Sequence, residues 1–435
     1  MNKLLLTTGL LISGFVASAQ SVDKKADKII NAKEVERIER VLASDEMRGR
    51  KTFSPEIDKA ADFISEEFKK AGLKHFGDLK TYKQPFTMVK AKQLSAKGSI
   101  DGVALTEDDL VAVSKEASLK VDEKTGYKLV TIDSAANLFS EAFKLLDSKE
   151  NTLVLVNPAH AKNFPRLKRL GGREGFPGKP SVIFVLTGNP APARYSFEFT
   201  NEISTSQLAN VIGVLPGKSK SRKTELVVFS GHYDHIGVGK PNAAGDSIFN
   251  GANDDAAGTT AVILLAKYFA KLKKNERTLI FVAFTAEEIG GYGSQYFSHQ
   301  IDADKTVAMF NIEMIGTESQ WGRNSAYITG YEKSDFGKIL QANLEGSVFK
   351  FEPDPYPKQN LFYRSDNATL AALGVPAHTI STSKMDTEKF YHTQEDEVET
   401  LDLNNMAEII KAIAISSRGI VSGKDTPGRV EKLEK

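Results

Sequence analysis

At 435 residues the chain exceeds one ordinary domain, so a large core with an insertion or a small second domain is expected. It is 41% hydrophobic and 26% charged with a formal net charge of +1, which gives no electrostatic reason to expect nucleic acid or an anionic membrane as partner. It contains no cysteine, which excludes a disulfide framework, thiolate metal ligands and a lipid-modified cysteine behind a leader.

Lys3 precedes an apolar run from Leu4 to Val16, and Ala17-Ser18-Ala19 forms a small-x-small site ahead of Gln20. That pattern predicts a cleaved secretory signal peptide over residues 1–19; an uncleaved anchor is the rival reading, but the run is short for a span. A periplasmic or secreted bacterial protein, free of the membrane after cleavage, is the expected location. Residues Asp23 to Lys28 carry mixed charge and read as a mobile polar lead-in.

Residues 20–85 are assigned to N-terminal helices that pack on the main domain. The clearer one starts at Ser54-Pro55, an N-cap serine with proline at the first helical position. Ile57, Ala60, Ala61, Ile64 and Phe68 recur at helical spacing, and Gly72 stops it. Residues 86–204 are less regular. Two strand-like runs, Thr152–Val156 and Ser181–Leu186, flank a basic glycine-containing stretch, and an inserted β-rich subdomain is expected. The alternative is that these strands extend the main sheet.

Residues 205–425 alternate apolar strands with helices. The strands are predicted at Val211–Leu215, Glu225–Ser230, Thr278–Phe284 and Thr306–Phe310, with helices from Asp255 to about Leu272 and through Met406, Ile409, Ile410, Ile413 and Ile420. Continuous apolar runs indicate strands covered on both faces, hence an α/β fold: a three-layer αβα sandwich around a mostly parallel mixed sheet. Residues 426–435 read as a polar tail.

Five clusters fall in order along this second half. Gly231-His232-Tyr233-Asp234 ends a strand, where an imidazole can bind metal while Asp234 accepts its other N–H; a hydrogen-bonded structural histidine is the plainer reading. His235 adjoins this cluster and receives no metal role. Asn253-Asp254-Asp255 precedes a helix, where aspartates also serve as caps. Glu287-Glu288 follows a very apolar strand, a poor place for paired charges unless something positive compensates them. One of the pair can bind metal while the other moves a proton from water. Asn311-Ile312-Glu313 again ends a strand in a carboxylate, and Tyr391-His392-Thr393 with Asp396 supplies a second imidazole. Taken singly, each of these admits a solvated or capping role. Jointly, imidazole and carboxylate donors at strand ends predict a hydrolytic zinc site.

The series His232-x-Asp234, Asn253-Asp254-Asp255-x-x-Gly258, Glu287-Glu288-x-Gly290, Asn311-x-Glu313-Met314-x-Gly316 and Tyr391-His392-Thr393-x-x-Asp396 resembles the secreted co-catalytic dizinc aminopeptidase family. Relatives of that family include glutamate carboxypeptidase, transferrin receptor and glutaminyl cyclase. The resemblance runs from about Ala209 to Gly423, with a weaker echo in Arg48-Gly49-Arg50. The insertion is loosely similar to a protease-associated domain.

The resemblance implies two zinc ions, His232, Asp254 and Glu313 holding one and Asp254, Glu288 and His392 the other. It further implies Glu287 as general base, Asp234 as the partner of His232, a cis peptide between Asp254 and Asp255, and peptides as substrates. Two positions depart from the family: Glu313 stands where aspartate is usual, and Asn367 where histidine usually follows Ser365-Asp366. The function so implied is removal of an N-terminal residue from peptides. The alternatives are a single-zinc glutaminyl cyclase-like enzyme and a non-catalytic peptide-binding or receptor-like module.

Overall fold

The computed structural model describes residues 23–146 and 148–433; the expected signal peptide over residues 1–19 lies outside them. In chain order the elements that build the site are helices α1 (Ala32–Leu42) and α2 (Pro55–Ala71) and strands β1 (Lys83–Ile100), β2 (Tyr195–Leu215) and β3 (Leu226–His232). Helix α3 (Ala257–Leu272) follows, then β4 (Thr278–Phe284), β5 (Thr306–Ile312), β6 (Ser325–Ile328), β7 (Lys350–Pro353), β8 (Ala377–Ser381) and helix α4 (Leu403–Ser416).

These strands form one mixed sheet in the order β7-β6-β8-β5-β3-β4-β2-β1. Strands β4, β3, β5 and β8 run parallel side by side, β6 joins β8 antiparallel, and β2 joins β4 antiparallel. Alternation along each central strand sends side chains to two cores, because a pleated strand turns successive residues to opposite faces. Val227, Phe229, Leu279, Phe281, Ala308 and Phe310 face the core under α1, α2, α3 and α4. Val228, Ile280, Val282 and Met309 face a second core closed by Phe297, Leu370 and Ala371. Phe229 stacks between Phe281 and Phe310 at centroid distances of 5.4 and 4.8 Å, locking three adjacent strands in register. The expected αβα sandwich is therefore the observed fold.

Between β1 and β2 lies a separate four-stranded sheet in the order 110–113, 182–186, 152–156, 128–132, with its own apolar cores. The strand-like runs read from sequence belong to it rather than to the main sheet. Strands β1 and β2 pair antiparallel from Lys83↔Val211 to Ile100↔Tyr195, so the main sheet itself extends along the insertion.

Several local expectations change. Lys24–Ile29 is helical with Ala26 buried, so the lead-in packs on the domain. Ser54 takes the N-cap position of α2, but its hydroxyl makes no capping bond; Pro55 at the first turn and left-handed Gly72 (φ 77) set the ends. Val211–Leu215 is only the apolar end of the 21-residue β2, whose remainder alternates buried and exposed. His232 is the last residue of β3 rather than lying past it, and helix α3 begins two residues after Asp255. The tail also packs: Val430 is buried in the second core, and Arg429 donates to the Thr306 carbonyl. Among the described residues no helix is long and apolar enough to cross a membrane.

Candidate metal centre

The C-terminal ends of parallel strands β3, β4 and β5 open on one side of the sheet, where α/β folds place their ligands. His232 ends β3, Glu287 and Glu288 lie in the turn after β4, and Glu313 follows β5. The turn carrying Asp254 comes before α3, and His392 reaches in from a late loop with a left-handed backbone (φ 57). The chain thus gathers residues spread over 160 positions at one cleft. Met314, Tyr327, Leu361, Met385 and Tyr391 line its walls.

Asp254 sits at the middle of the cluster. Its Oδ1 lies 3.2 Å from His232 Nε2, and its Oδ2 lies 3.3 Å from His392 Nε2. His392 Nε2 is also 3.2 Å from Glu288 Oε2. The peptide between Asp254 and Asp255 is cis. None of these contacts is directed as a hydrogen bond: His232 Nε2, His392 Nε2 and Glu313 Oε2 are buried without a hydrogen-bond partner among the described residues. Orphaned donors of this kind are costly unless a further group satisfies them. Nitrogen and oxygen atoms bound to one tetrahedral zinc at about 2.0–2.2 Å lie roughly 3.3–3.5 Å apart. The observed 3.2–3.3 Å separations are close to that spacing, so the residues present fit zinc.

The electrostatics of the cluster follow from burial and from carboxylates crowded around the imidazoles. Burial pushes the Glu287 carboxyl well above its ordinary value, although His232 opposes this. Burial likewise raises Glu313, with the Asp254 carboxylate adding to the effect. The imidazoles are raised instead. His392 is pushed up to about 10 by the Asp254 and Glu288 carboxylates. For His232 burial works against the charged form, and neighbouring Asp254, Glu287 and Asp255 override it. Burial works against ionised Glu288 too, but contacts with His235 and His392 hold it down at about 2.

Around these groups a shell of acceptors fixes the backbone. Asp234 differs from its expected geometry. The Nδ1 of His232 faces the main-chain carbonyl of Asp234 at 3.1 Å, while the carboxylate lies 3.9 Å away. That carboxylate instead accepts the main-chain N–H groups of Glu287 and Glu288. Asp255 accepts N–H bonds from His232, Gly258 and Met314, tying together three site segments. Asp396 accepts from the N–H groups of Asn253 and Asp254. Asn367 binds the Phe362 and Ala377 carbonyls and accepts from Thr379, a structural role.

Four residues outside the sequence expectations enter the site. Asp255 and Asp396 stood within the motifs but were assigned no holding role. Arg50 is buried and donates to the carbonyls of Tyr233, Leu42, Asn250 and Gly251, clamping the loops that carry His232 and Asp254; the Arg48-Gly49-Arg50 echo was its one signal. His235 offers Nδ1 beside Asp254 and Glu288, the three donor atoms lying within 4.8 Å of one another.

Residues 210–416, which include every member of the cluster, match Peptidase family M28. The segment that carries the site is thus similar to M28 peptidases, and the donor set gathered in it is of a kind that suits zinc. The chain is 26% identical over 211 residues to a probable leucine aminopeptidase of Trichophyton verrucosum, covering 46% of this chain and 54% of the relative. It is 22% identical over 245 residues to aminopeptidase YwaD of Bacillus subtilis, covering 54% and 49%. The matches thus span about half the length of these curated relatives. Among solved structures, the fold is similar to an aminopeptidase from Aneurinibacillus sp. strain AM-1, with TM-score 0.54 and 18% identity over 94% of this chain and 97% of that one. It is also similar to BSAP, a zinc aminopeptidase from Bacillus subtilis, with TM-score 0.54 and 16% identity over 93% and 99%.

Proposed function

We propose that the chain is an exported zinc exopeptidase that removes N-terminal residues from peptides and works with two zinc ions. One observation carries the reading: Asp254 presents Oδ1 to His232 Nε2 at 3.2 Å and Oδ2 to His392 Nε2 at 3.3 Å. A carboxylate that offers one oxygen to each of two imidazoles is placed to bridge two cations. His232, Asp254 and Glu313 would hold one ion, and Asp254, Glu288 and His392 the other. Zinc, when bound, supplies a Lewis acid for the scissile carbonyl and eases deprotonation of water.

Glu287 acts as the proton carrier. Its main chain is pinned to Asp234, its carboxyl borders the cleft, and burial favours the protonated form it holds between the two transfers. It takes a proton from the attacking water and delivers it to the leaving amine. Asp234, Asp255 and Asp396 keep the donors in place. The names of the similar proteins support aminopeptidase chemistry, and the pattern of residues 1–19 supports export.

The test is elemental analysis of the purified protein together with digestion of a mixed peptide pool. About two zinc ions per chain and free amino acids released from N-termini, with N-acetylated peptides spared, are expected. A two-zinc protein that releases nothing, or cuts internally, ends the exopeptidase reading. A mature N-terminus at Gln20 is expected in the exported protein.

A further inference from the structure

His235 has no part in the ligand sets above, yet it is among the most constrained side chains at the site. It is buried, its main-chain N–H faces the Arg50 carbonyl, and it forms a parallel bridge with Lys51. Its ring packs against Gly251; a Cβ there would lie 2.5 Å from the ring's Cγ and Cδ2. The ring therefore has almost no room to rotate.

Its Nδ1 is 2.7 Å from Glu288 Oε1 and 3.9 Å from Asp254 Oδ2. The first distance is that of a charge-assisted hydrogen bond, about 2.7–2.9 Å. It is shorter than the roughly 3.3–3.5 Å that separates two donors on one tetrahedral zinc. Glu288 presents its other oxygen, Oε2, to His392 Nε2 at 3.2 Å. The carboxylate is thus gripped by one oxygen and offers the other.

We infer that His235 is a positioning residue for Glu288: its Nδ1–H holds Oε1 so that Oε2 faces the ion shared with Asp254 and His392. The inference rests on the two-ion reading above. A free glutamate loses rotamer entropy when a metal immobilises it, and a rigid imidazole supplies that order beforehand. Partners of this kind typically account for 10–100-fold in metal affinity.

The test uses the full mature protein. His235→Phe keeps the ring and removes the donor, and His235→Asn restores an N–H near the position of Nδ1. Zinc per chain is measured across a series of zinc buffers, and the melting temperature is measured on the metal-stripped protein. In His235→Phe the ion held by His232 and Glu313 is expected to remain, while affinity for the second falls 10–100-fold. His235→Asn is expected to recover most of it, and the stripped proteins to melt alike. Unchanged affinity in His235→Phe overturns the inference. Loss of both ions with a lower melting temperature makes the residue a packing element. Complete loss of the second ion in both variants makes it a direct ligand. If His235→Phe does not fold, His235→Ala answers the same question. A wild type that takes up only one zinc instead sinks the two-ion function, independently of His235.

Discussion

The carboxylate of Asp234 accepts the main-chain N–H of Glu287 at 3.1 Å, and that of Glu288 at 3.3 Å. One acid just past the end of β3 therefore orients the turn after β4, where the proposed proton carrier Glu287 and the proposed zinc donor Glu288 sit side by side. These bonds engage only the glutamate main chains; the Glu288 carboxylate meets His235 and His392, and the Glu287 carboxyl borders the cleft. Glu287→Gln keeps this backbone arrangement and removes the proton carrier. We expect kcat to fall by about 10²–10⁴-fold with zinc content unchanged, read by steady-state kinetics and elemental analysis. Near-normal turnover would remove Glu287 from the mechanism.

Asp254 touches both imidazoles, whereas His392 touches only the Asp254 and Glu288 side of the cluster. Asp254→Asn is expected to weaken both ions, and His392→Ala chiefly one. Zinc titration followed by stoichiometry distinguishes the two patterns. Equal loss in both variants would argue against a bridging carboxylate.

Glu313 Oε2 is buried and has no hydrogen-bond partner among the described residues, so a solvated charge is not its environment. Glu313→Gln is expected to cost most of the activity and one ion. Glu313→Asp, one methylene shorter, is expected to retain a measurable part. A fully active two-zinc Glu313→Gln protein would show that another residue supplies the donor.

Gly258 tests the packing under the site. A Cβ there would lie 2.0 Å from the Ile312 carbonyl oxygen and 2.3 Å from Asp255 Oδ2. Neither can move without disturbing β5 or the bonds that the His232 and Met314 N–H groups donate to Asp255. Gly258→Ala is expected to destabilise the metal-stripped protein by about 1–3 kcal/mol, measured by denaturant unfolding. An unchanged midpoint would mean that the segment yields more easily than its contacts imply.

Away from the site, buried Glu67 meets Arg37 at 2.7 Å, Lys70 at 2.9 Å and Lys267. Burial alone would raise its carboxyl, but these three cations bring it down to about 2 from an ordinary 4.5. A depressed carboxyl stabilises the fold fully above its unfolded value and loses that contribution as pH falls from about 4.5 toward 2. Stability at pH 7 is expected to drop by about 2–3 kcal/mol in Glu67→Gln. The difference from wild type is expected to shrink through that acid window. A pH-independent difference would assign the loss to packing instead.

The amino-acid sequence alone determined which strands are central and which donors gather. Runs such as Thr278–Phe284 are apolar because both faces are covered, and carboxylates directly behind such runs mark strand ends. The long strands β1 and β2 were far less legible, since much of their length pairs along the insertion with alternating exposure. Other features were decided only by tertiary structure. The turn of Asp234 toward the Glu287 and Glu288 amides depends on β3 lying beside β4. Arg50 reaches carbonyls about 200 positions away, and backbone acceptors carry no residue signature. His235 looked like a spare neighbour of His232 because sequence adjacency says nothing of direction. The backbone turn after β3 sends the two rings to different carboxylates, one to Asp254 and one to Glu288.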